Sequence, residues 1–418
     1  MPVNSAAKNA TVVVIGAGAS GLAAAHALRE RNIQVRIIDR AYRAGEAWYH
    51  RHPQLRLNTH RHLSGLPGLA IPRAAGAFPS RNSIIRYLDE YAAQLDAPID
   101  YGVKVTEISK APSGWAVETS AGVYRAQHVV VATGYASKPA IPDWKGRETF
   151  SKQLVHAADL GDIEQYRNRK ILVVGAGNSG TDILNHLSTI ETDRIWVSVR
   201  HGPVIFPTRL CGIPMQRLSP LFAMMPVPVA DAMLALTGHL AFGNLKKWGL
   251  GKHSHGGITR LLDTGTAPAI DNGFVAALKA GKVTVVPEIE CFESTGVRLI
   301  DNQYIEPDIV IAATGYKTGL QSILGYGSIL DESGVPKIDG AKQMHGYPGL
   351  WFTGMQPRLT GFFHQAGHNA REIAAAIDIE MHLEHAGISN DIVEIQAQAP
   401  SANTEQVHYQ RSSLNESR

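Results

Sequence analysis

The feature that most constrains the fold is a glycine pattern that occurs twice. Thr11-Val-Val-Val-Ile-Gly-Ala-Gly-Ala-Ser-Gly21 and Lys170-Ile-Leu-Val-Val-Gly-Ala-Gly-Asn-Ser-Gly180 share one grammar: a short β-branched run, a glycine turn, then helix-forming residues. A short run that is apolar throughout suits a strand buried on both faces. Each stretch reads as the opening of a βαβ unit. The second strands, Gln34 to Asp39 and Arg194 to Arg200, follow about 20 residues after the glycines, the spacing such a unit needs.

A second mark is also repeated. Val131-Ala-Thr-Gly-Tyr135 and Ile311-Ala-Ala-Thr-Gly-Tyr316 each close an apolar strand, His128 to Val131 and Asp308 to Ala313. Glycine at that point lets the chain leave the sheet close to a ligand. The second glycine motif lies between the two marks, so one nucleotide fold is inserted into the other. The expected fold class is α/β, with two Rossmann-like, three-layer dinucleotide-binding domains. Residues 1–166 and 319–395 form the outer domain and 167–318 the inserted one. The stretch 396–418 is polar with few apolar anchors and reads as a disordered tail.

Composition narrows the function classes. Forty basic and 37 acidic residues leave a net charge of +3, so no overall field holds a phosphate polymer or an anionic membrane, and nucleic acid is not an expected partner. Cys211 and Cys291 are too far apart for a CxxC redox pair or a four-thiolate zinc site and fit a reduced, cytoplasmic setting. Met1 to Ala10 lacks the pattern of a secretory leader. Leu218 to Leu250 is apolar but broken by Pro220, Pro226, Pro228, Asp231 and His239, so buried helices are expected there and not a transmembrane segment, the alternative being a monotopic contact with a membrane surface.

The motifs carry the chemistry. In Gly16-x-Gly18-x-x-Gly21 the backbone N–H groups and a helix N-terminus can hold a pyrophosphate, and Ser20 can add a hydrogen bond. Asp39, ending the second strand, can accept the ribose hydroxyls of an adenosine, the alternative being a solvated strand-end carboxylate. In Gly175-x-Gly177-x-x-Gly180 the second strand ends in Val199-Arg200-His201 with no acid. A guanidinium suits a 2′-phosphate, so NADPH is preferred over NADH unless Arg200 is only a surface charge. Arg209 and Lys252 are further cations within possible reach. Two dinucleotide folds in one chain imply electron passage between cofactors, with FAD accepting hydride from NADPH as the usual arrangement.

On these residues the chain up to about Ala386 resembles the class B flavin-dependent monooxygenases, and within them the YUCCA-type enzymes. The resemblance also rests on Gly45-Glu-Ala-Trp48, Gln54-Leu-Arg-Leu-Asn-Thr59, Phe78-Pro-Ser-Arg-Asn-Ser83, Gly243-Asn-Leu-Lys-Lys-Trp-Gly249, Pro268-Ala-Ile-Asp-Asn-Gly273 and Gly349-Leu-Trp-Phe-Thr-Gly354. The family fingerprint F-x-G-x-x-x-H-x-x-x-(Y/W) is here Phe150-Ser-Lys-Gln-Leu-Val-His156-Ala-Ala-Asp-Leu160. Lys152 and Leu160 depart from it, and the Baeyer–Villiger ending is missing. His156 reads either as part of the fingerprint's function or as a linker residue bonded in place.

The resemblance implies a catalytic neutral donor, Asn58, beside the reacting centre; a turn asparagine bonded to its own backbone is the alternative. It implies that Trp48 packs beside the flavin and that the helix beginning at Gly361 points at the flavin's pyrimidine edge. Across the two cofactor sites the expected contacts are Gly16, Gly18, Ala19, Ser20, Gly21, Asp39, Arg40, Trp48, Asn58, Val105, Gly134, Gly175, Gly177, Asn178, Ser179, Gly180, Arg200 and Gly361. His50-x-His52, His60-x-His62 and His253-x-His255 lack a sequence-local third ligand, so no metal is expected and these histidines read as solvated or substrate-facing.

The implied activity is transfer of one oxygen atom of O2 to a small molecule through a flavin peroxide. The substrate is an aryl-pyruvate such as indole-3-pyruvate, or a soft nitrogen or sulfur nucleophile. An NADPH oxidase releasing H2O2 and a slowly turning redox sensor stay open as alternatives, as does a homodimer. The Leu210 to Leu250 region is the expected substrate-pocket wall.

Overall fold

Burial on both faces dictates the two sheets. The computed structural model describes residues 7–386, positions 252 and 326 excepted. The first apolar run forms β1 (Lys8–Ile15), followed by α1 (Ala19–Arg29), β2 (Val35–Asp39), α2 (Arg81–Gln94), β3 (Ile99–Tyr101), β4 (Val105–Lys110), β5 (Trp115–Thr119) and β6 (Gly122–Val131). The inserted part supplies β7 (Gln153–His156), β8 (Lys170–Val174), α3 (Asn178–Leu187), β9 (Arg194–Ser198), α4 (Val227–Phe242), α5 (Gly257–Thr264), β10 (Val283–Val286) and β11 (Ile309–Ala312). The return contributes β12 (Leu350–Phe352) and α6 (Phe362–His385).

The first sheet runs β3-β2-β1-β6-β5-β4, with β12 added parallel to the C-terminal half of β6. β1, β2, β3 and β6 are parallel, while β4, β5 and β6 form an antiparallel meander. In β1, Val12 and Val14 join the core under α1 and α6, whereas Val13 and Ile15 join the opposite core beneath the meander. That alternation explains why the run has no polar position. The second sheet is wholly parallel, β10-β9-β8-β11-β7, and β8 splits likewise, with Ile171 and Val173 on one face and Leu172 on the other. Two Rossmann-like, three-layer α/β folds are thus present. β7 precedes residue 167 in sequence yet lies at the edge of the second sheet, through the pairs Gln153–Ile309 to His156–Ala312. The end of the outer domain at 387–395 and the stretch 396–418 lie outside the described residues.

The last helix closes the first fold. Ala366, Ala370, Ile373, Ala374 and Ile377 of α6 join Ala23, Ala24, Ala27 and Leu28 of α1 in one core, small side chains on both helices allowing close approach. α2 starts at a capping serine, Ser80, whose Oγ accepts the Ser83 N–H at 3.2 Å.

One expectation fails. The apolar stretch 218–250 was expected to bury its helices, but in α4 only Ala230 and Leu234 are buried, and Val229, Met233, Leu236 and Leu240 are exposed. Asp231, the one charged residue of α4, turns inward to accept the Ile258 N–H at 2.6 Å and the Thr259 hydroxyl at 2.6 Å. Apolar composition shows that a helix avoids water, not that the fold provides a partner on every side. No described helix is long and apolar enough to cross a membrane.

Ile373 is fully buried and Ile379, on the same helix, is 57% exposed. Ile373→Ala is expected to lower unfolding free energy by about 2–5 kcal/mol in a urea titration. Ile379→Ala should change it by less than about 0.5 kcal/mol.

Candidate active site between two nucleotide folds

The two glycine motifs fold alike. A Cβ placed on Gly16 would lie 2.6 Å from the Ala132 carbonyl oxygen, and one on Gly175 would lie 2.8 Å from that of Ala313. Both glycines take a positive φ, 112° and 99°. Gly21 and Gly180 press against the carbonyl oxygens of Gly16 and Gly175 so closely that no side chain fits. Gly18 and Gly177 face open space. The outer glycines therefore hold each helix onto its strand, and the middle one leaves room beside the helix N-terminus. Neither α1 nor α3 has a side-chain cap or an acidic residue in its first turn. Unpaired N–H groups and the helix dipole favour an anion at both ends. Ala132 and Ala313 belong to the two repeated strand-end marks, so the sequence duplication is also a duplication of contacts.

Asp39 is fixed at the end of β2. Its carboxylate accepts the Ala17 N–H at 2.6 Å and the Ala41 N–H at 2.7 Å, which leaves lone pairs free for a ribose hydroxyl. Arg40 beside it is exposed. The Val103 and Gly102 N–H groups donate to the Asp39 and Ala41 carbonyls, each at 2.8 Å, and bring the start of β4 at Val105 alongside.

Three distant segments meet at the start of α6. Gly361 is its N-cap, with no side-chain cap and no acid in the first turn. A Cβ on Gly361 would strike the Thr59 methyl. Trp48 packs on Phe363 with ring centroids 5.9 Å apart. Asn58, next to Thr59, is exposed, and its amide makes no hydrogen bond among the described residues, so it is not a turn asparagine bonded to its own backbone. Gly354, two residues after β12, presses on Ser20, and its carbonyl accepts the Tyr135 N–H at 3.1 Å, next to Gly134.

Sequence reasoning missed two hydroxyls. Thr133 and Thr353 each bury an Oγ with no hydrogen-bond partner. Both stand next to a singled-out glycine, Gly134 or Gly354, and that adjacency was the available signal.

At the second motif, Arg200 lies two residues beyond β9, exposed and without an ion-pair partner among the described residues. Asn178 donates from Nδ2 to the Ala267 carbonyl at 3.3 Å, while its Oδ1 is buried without a partner; Ser179 follows in the same turn. Arg209 is engaged elsewhere, donating to the Gly212 carbonyl at 3.0 Å and standing 5.5 Å over the Phe78 ring. Lys252 lies outside the described residues.

His156 is bonded in place at the end of β7. Its Nε2–H donates to the Gly315 carbonyl at 2.9 Å, its Nδ1 accepts the Ala158 N–H at 3.0 Å, and burial lowers its pKa, which keeps the ring neutral.

The histidine pairs need a correction. His52 and His60 are buried, 7% and 5% exposed, and not solvated. His52 Nε2 lies 3.0 Å from Asp182 Oδ2, and His186 Nε2 lies 3.6 Å from Asp182 Oδ1, so α3 supplies two possible metal ligands that the local sequence around His52 does not. The cluster ties the Trp48 segment to the second fold.

A cavity of about 1160 Å³ opens between the folds. Tyr135, Phe222, Met225, Ile258 and Leu261 give it an apolar wall, and Lys317, Arg358 and His364 give it cationic or proton-bearing groups. Arg358 donates to Gln356 Oε1 at 3.1 Å, and its Nε is buried without a partner.

Comparison with known proteins decides the family. Over 368 residues the chain is 31% identical to indole-3-pyruvate monooxygenase YUCCA1 of Oryza sativa subsp. japonica, covering 86% of this chain and 90% of that protein. Over 376 residues it is 31% identical to the probable indole-3-pyruvate monooxygenase YUCCA7 of Arabidopsis thaliana, covering 87% of each. The chain belongs to the class B flavin-dependent monooxygenases.

This NADPH-dependent flavoprotein monooxygenase is similar to the YUCCA-type enzymes within that family. Its residues 13–204 match the family described as pyridine nucleotide-disulphide oxidoreductase. Cys211 and Cys291 are both free, so that match follows the nucleotide fold and not a disulfide. The fold is shared with the flavin-containing monooxygenase from Stenotrophomonas maltophilia, at a TM-score of 0.67 and 23% identity over 90% of this chain and 99% of that one. It is shared also with an oxidized steroid monooxygenase bound to NADP, at 0.69 and 18% over 91% and 87%. FAD and NADPH are the cofactors of this class. The open middle glycines, the uncapped helix ends, Asp39, and the unpartnered Thr133, Thr353 and Asn178 oxygens fit two dinucleotides.

Gly18→Ala places a methyl in open space at an ordinary φ of −82°. It should keep the melting temperature while lowering the FAD bound per chain, read from the 450-nm-region absorbance of purified protein. Gly21→Ala meets a carbonyl and should instead reduce folded yield. If Gly18→Ala retains FAD fully, the pyrophosphate does not sit at this turn.

Proposed function

We propose that this monooxygenase oxidatively decarboxylates an aryl-pyruvate, with indole-3-pyruvate as the first substrate to test. The supporting observation is the cavity between the folds, lined by aromatic and aliphatic side chains, by Asp263, Asp331 and Glu332, and by Arg358, whose buried Nε lacks a partner. An aryl group is favoured by Tyr135, Phe222 and Leu261, and a carboxylate by a guanidinium that can bind it in a fork. The relatives named indole-3-pyruvate monooxygenases support the same class of substrate. The balanced reaction consumes one aryl-pyruvate, O2, NADPH and a proton and yields one aryl-acetate, CO2, NADP⁺ and water. FAD, held by the first nucleotide fold and reduced by NADPH, would supply the oxygen-transfer chemistry.

The chain's own residues position and shield. Gly16 to Gly21 hold one pyrophosphate, and Asp39 holds its ribose, with Arg40 and Val105 flanking the adenosine. Gly175 to Gly180, including Asn178 and Ser179, hold the second, and Arg200 takes the 2′-phosphate. Trp48 and Gly134 border the flavin ring system, and Gly361 directs a helix N-terminus at it, where negative charge gathers on reduction. Asn58 offers the reacting centre a neutral donor that keeps its protons. In this reading the NADPH-binding unit is 167–318 together with β7, the remaining described residues up to 386 form the FAD-binding unit, and the enzyme works in the cytoplasm.

Arg200→Ala should raise the KM for NADPH by about tenfold or more and leave that for NADH nearly unchanged, since a charge-assisted phosphate contact contributes about 1.5–3 kcal/mol. Equal changes for both cofactors would remove Arg200 from the phosphate site. The activity itself is tested by mixing NADPH-reduced enzyme with O2 in a stopped-flow spectrometer, with and without indole-3-pyruvate. A near-ultraviolet intermediate that decays faster with substrate, together with indole-3-acetate and CO2, is the expected result. Stoichiometric H2O2 with substrate unconsumed would mean an oxidase. Arg358→Ala should lower kcat/KM for the aryl-pyruvate by about tenfold or more while NADPH oxidation without substrate is unchanged.

A further inference from the structure

The exposed apolar surface of the described residues is concentrated in one place. Of the 15 large apolar side chains that are exposed, nine lie between Ile213 and Leu262. Met224, Leu240 and Leu236 are exposed by 85%, 68% and 58%. Within α4 the exposed positions Val229, Met233, Leu236 and Leu240 recur at intervals of four, three and four, which places them on one face. Ala232 and Ala235 extend that face, and its one polar member is His239. The single charge of the helix, Asp231, is turned inward against α5. A surface helix normally shows its polar side to water; α4 does the reverse, and contiguous apolar area of this kind marks an interaction surface.

Charge identifies what covers it. Between Ile205 and Asp263 the only acidic residues are Asp231 and Asp263, against Arg209, Arg217, Lys246, Lys247, Lys252 and Arg260. Arg217 precedes the exposed Leu218, and Lys246 and Lys247 follow the end of α4; all three cations are exposed. The near-neutral total of +3 thus hides a local basic rim around an apolar face. A second copy docking through the same face would set this rim against itself, whereas an anionic phospholipid surface matches both the apolar centre and the positive edge.

We propose that this face seats the enzyme on the surface of an anionic bilayer, with α4 and Leu221–Met224 immersed at the headgroup level and Arg217, Lys246 and Lys247 on lipid phosphates. The cavity shares this wall, since Phe222, Ala223, Met225, Leu261 and the exposed Leu262 line it.

The test is co-flotation of the FAD-loaded enzyme with phosphatidylcholine vesicles, with and without phosphatidylglycerol. Binding is expected with the anionic vesicles and is expected to weaken as salt rises. The double variant Leu236→Ser, Leu240→Ser should weaken it by about tenfold or more, and Lys246→Glu, Lys247→Glu by a similar factor, with FAD content and NADPH oxidation unchanged. Absence of binding to anionic vesicles, or equal binding to neutral ones, overturns the proposal. A solution dimer that the serine variant splits into monomers, measured by light scattering, overturns it as well, because the face would then be filled by a second copy.

Discussion

Both cofactor sites depend on one contact, the closeness of a helix N-terminus to the backbone of the preceding strand. Gly21 against the Gly16 carbonyl, and Gly180 against that of Gly175, allow α1 and α3 to begin directly at the sheet edge. Because no side chain caps either helix, the unpaired N–H groups keep their capacity for a ligand. A serine or aspartate in place of the N-cap glycine, Gly18 or Gly177, would stabilise each helix by about a few tenths of a kcal/mol and would occupy the anion site with its own side chain. The protein gives up a local stabilisation at both places for the same reason.

The rest of the first site is assembled by the chain's return. β12 lies against β6 and carries Gly354 onto Ser20; α6 packs along α1 and carries Gly361 onto Thr59 and Phe363 onto Trp48. None of these pairings is local, and together they explain why the inserted domain can interrupt the outer one without disturbing it. Insertion occurs after the strand-end mark at Gly134, and the antiparallel pairing of Lys138–Pro139 with Tyr316–Lys317 closes the two connections side by side. His156 reinforces that junction through Gly315, and His52 with Asp182 reinforces it from the other side. The cavity lies at this junction, walled by both folds together.

Much of this was legible in the sequence, because strands buried on both faces admit only apolar residues and close approach admits only glycine. Those rules gave the two βαβ openings, the strand ends at Asp39 and Val131, and the insertion. The resemblance to class B monooxygenases gave the segments around Trp48, Asn58 and Gly361, whose mutual contacts the structure displays. The buried hydroxyls of Thr133 and Thr353 were not legible, since a threonine at a strand end has no period or spacing that separates a satisfied hydroxyl from an unpartnered one. Nor were Asp182 and His186 beside His52, because a cluster formed from two domains leaves no local pattern.

By itself, then, the sequence determined the number of nucleotide folds, their order and the backbone geometry at each phosphate turn, because these follow from residue size and polarity within about 30 positions. Tertiary structure alone decided which side chains share a site and which apolar surfaces find a partner. It carried Asp182 to His52, put Arg209 on Phe78, placed Arg358 in the cavity wall, and left one face of α4 uncovered. The physical reason is that burial depends on what packs opposite a residue, and what packs opposite is set by segments far away in the chain.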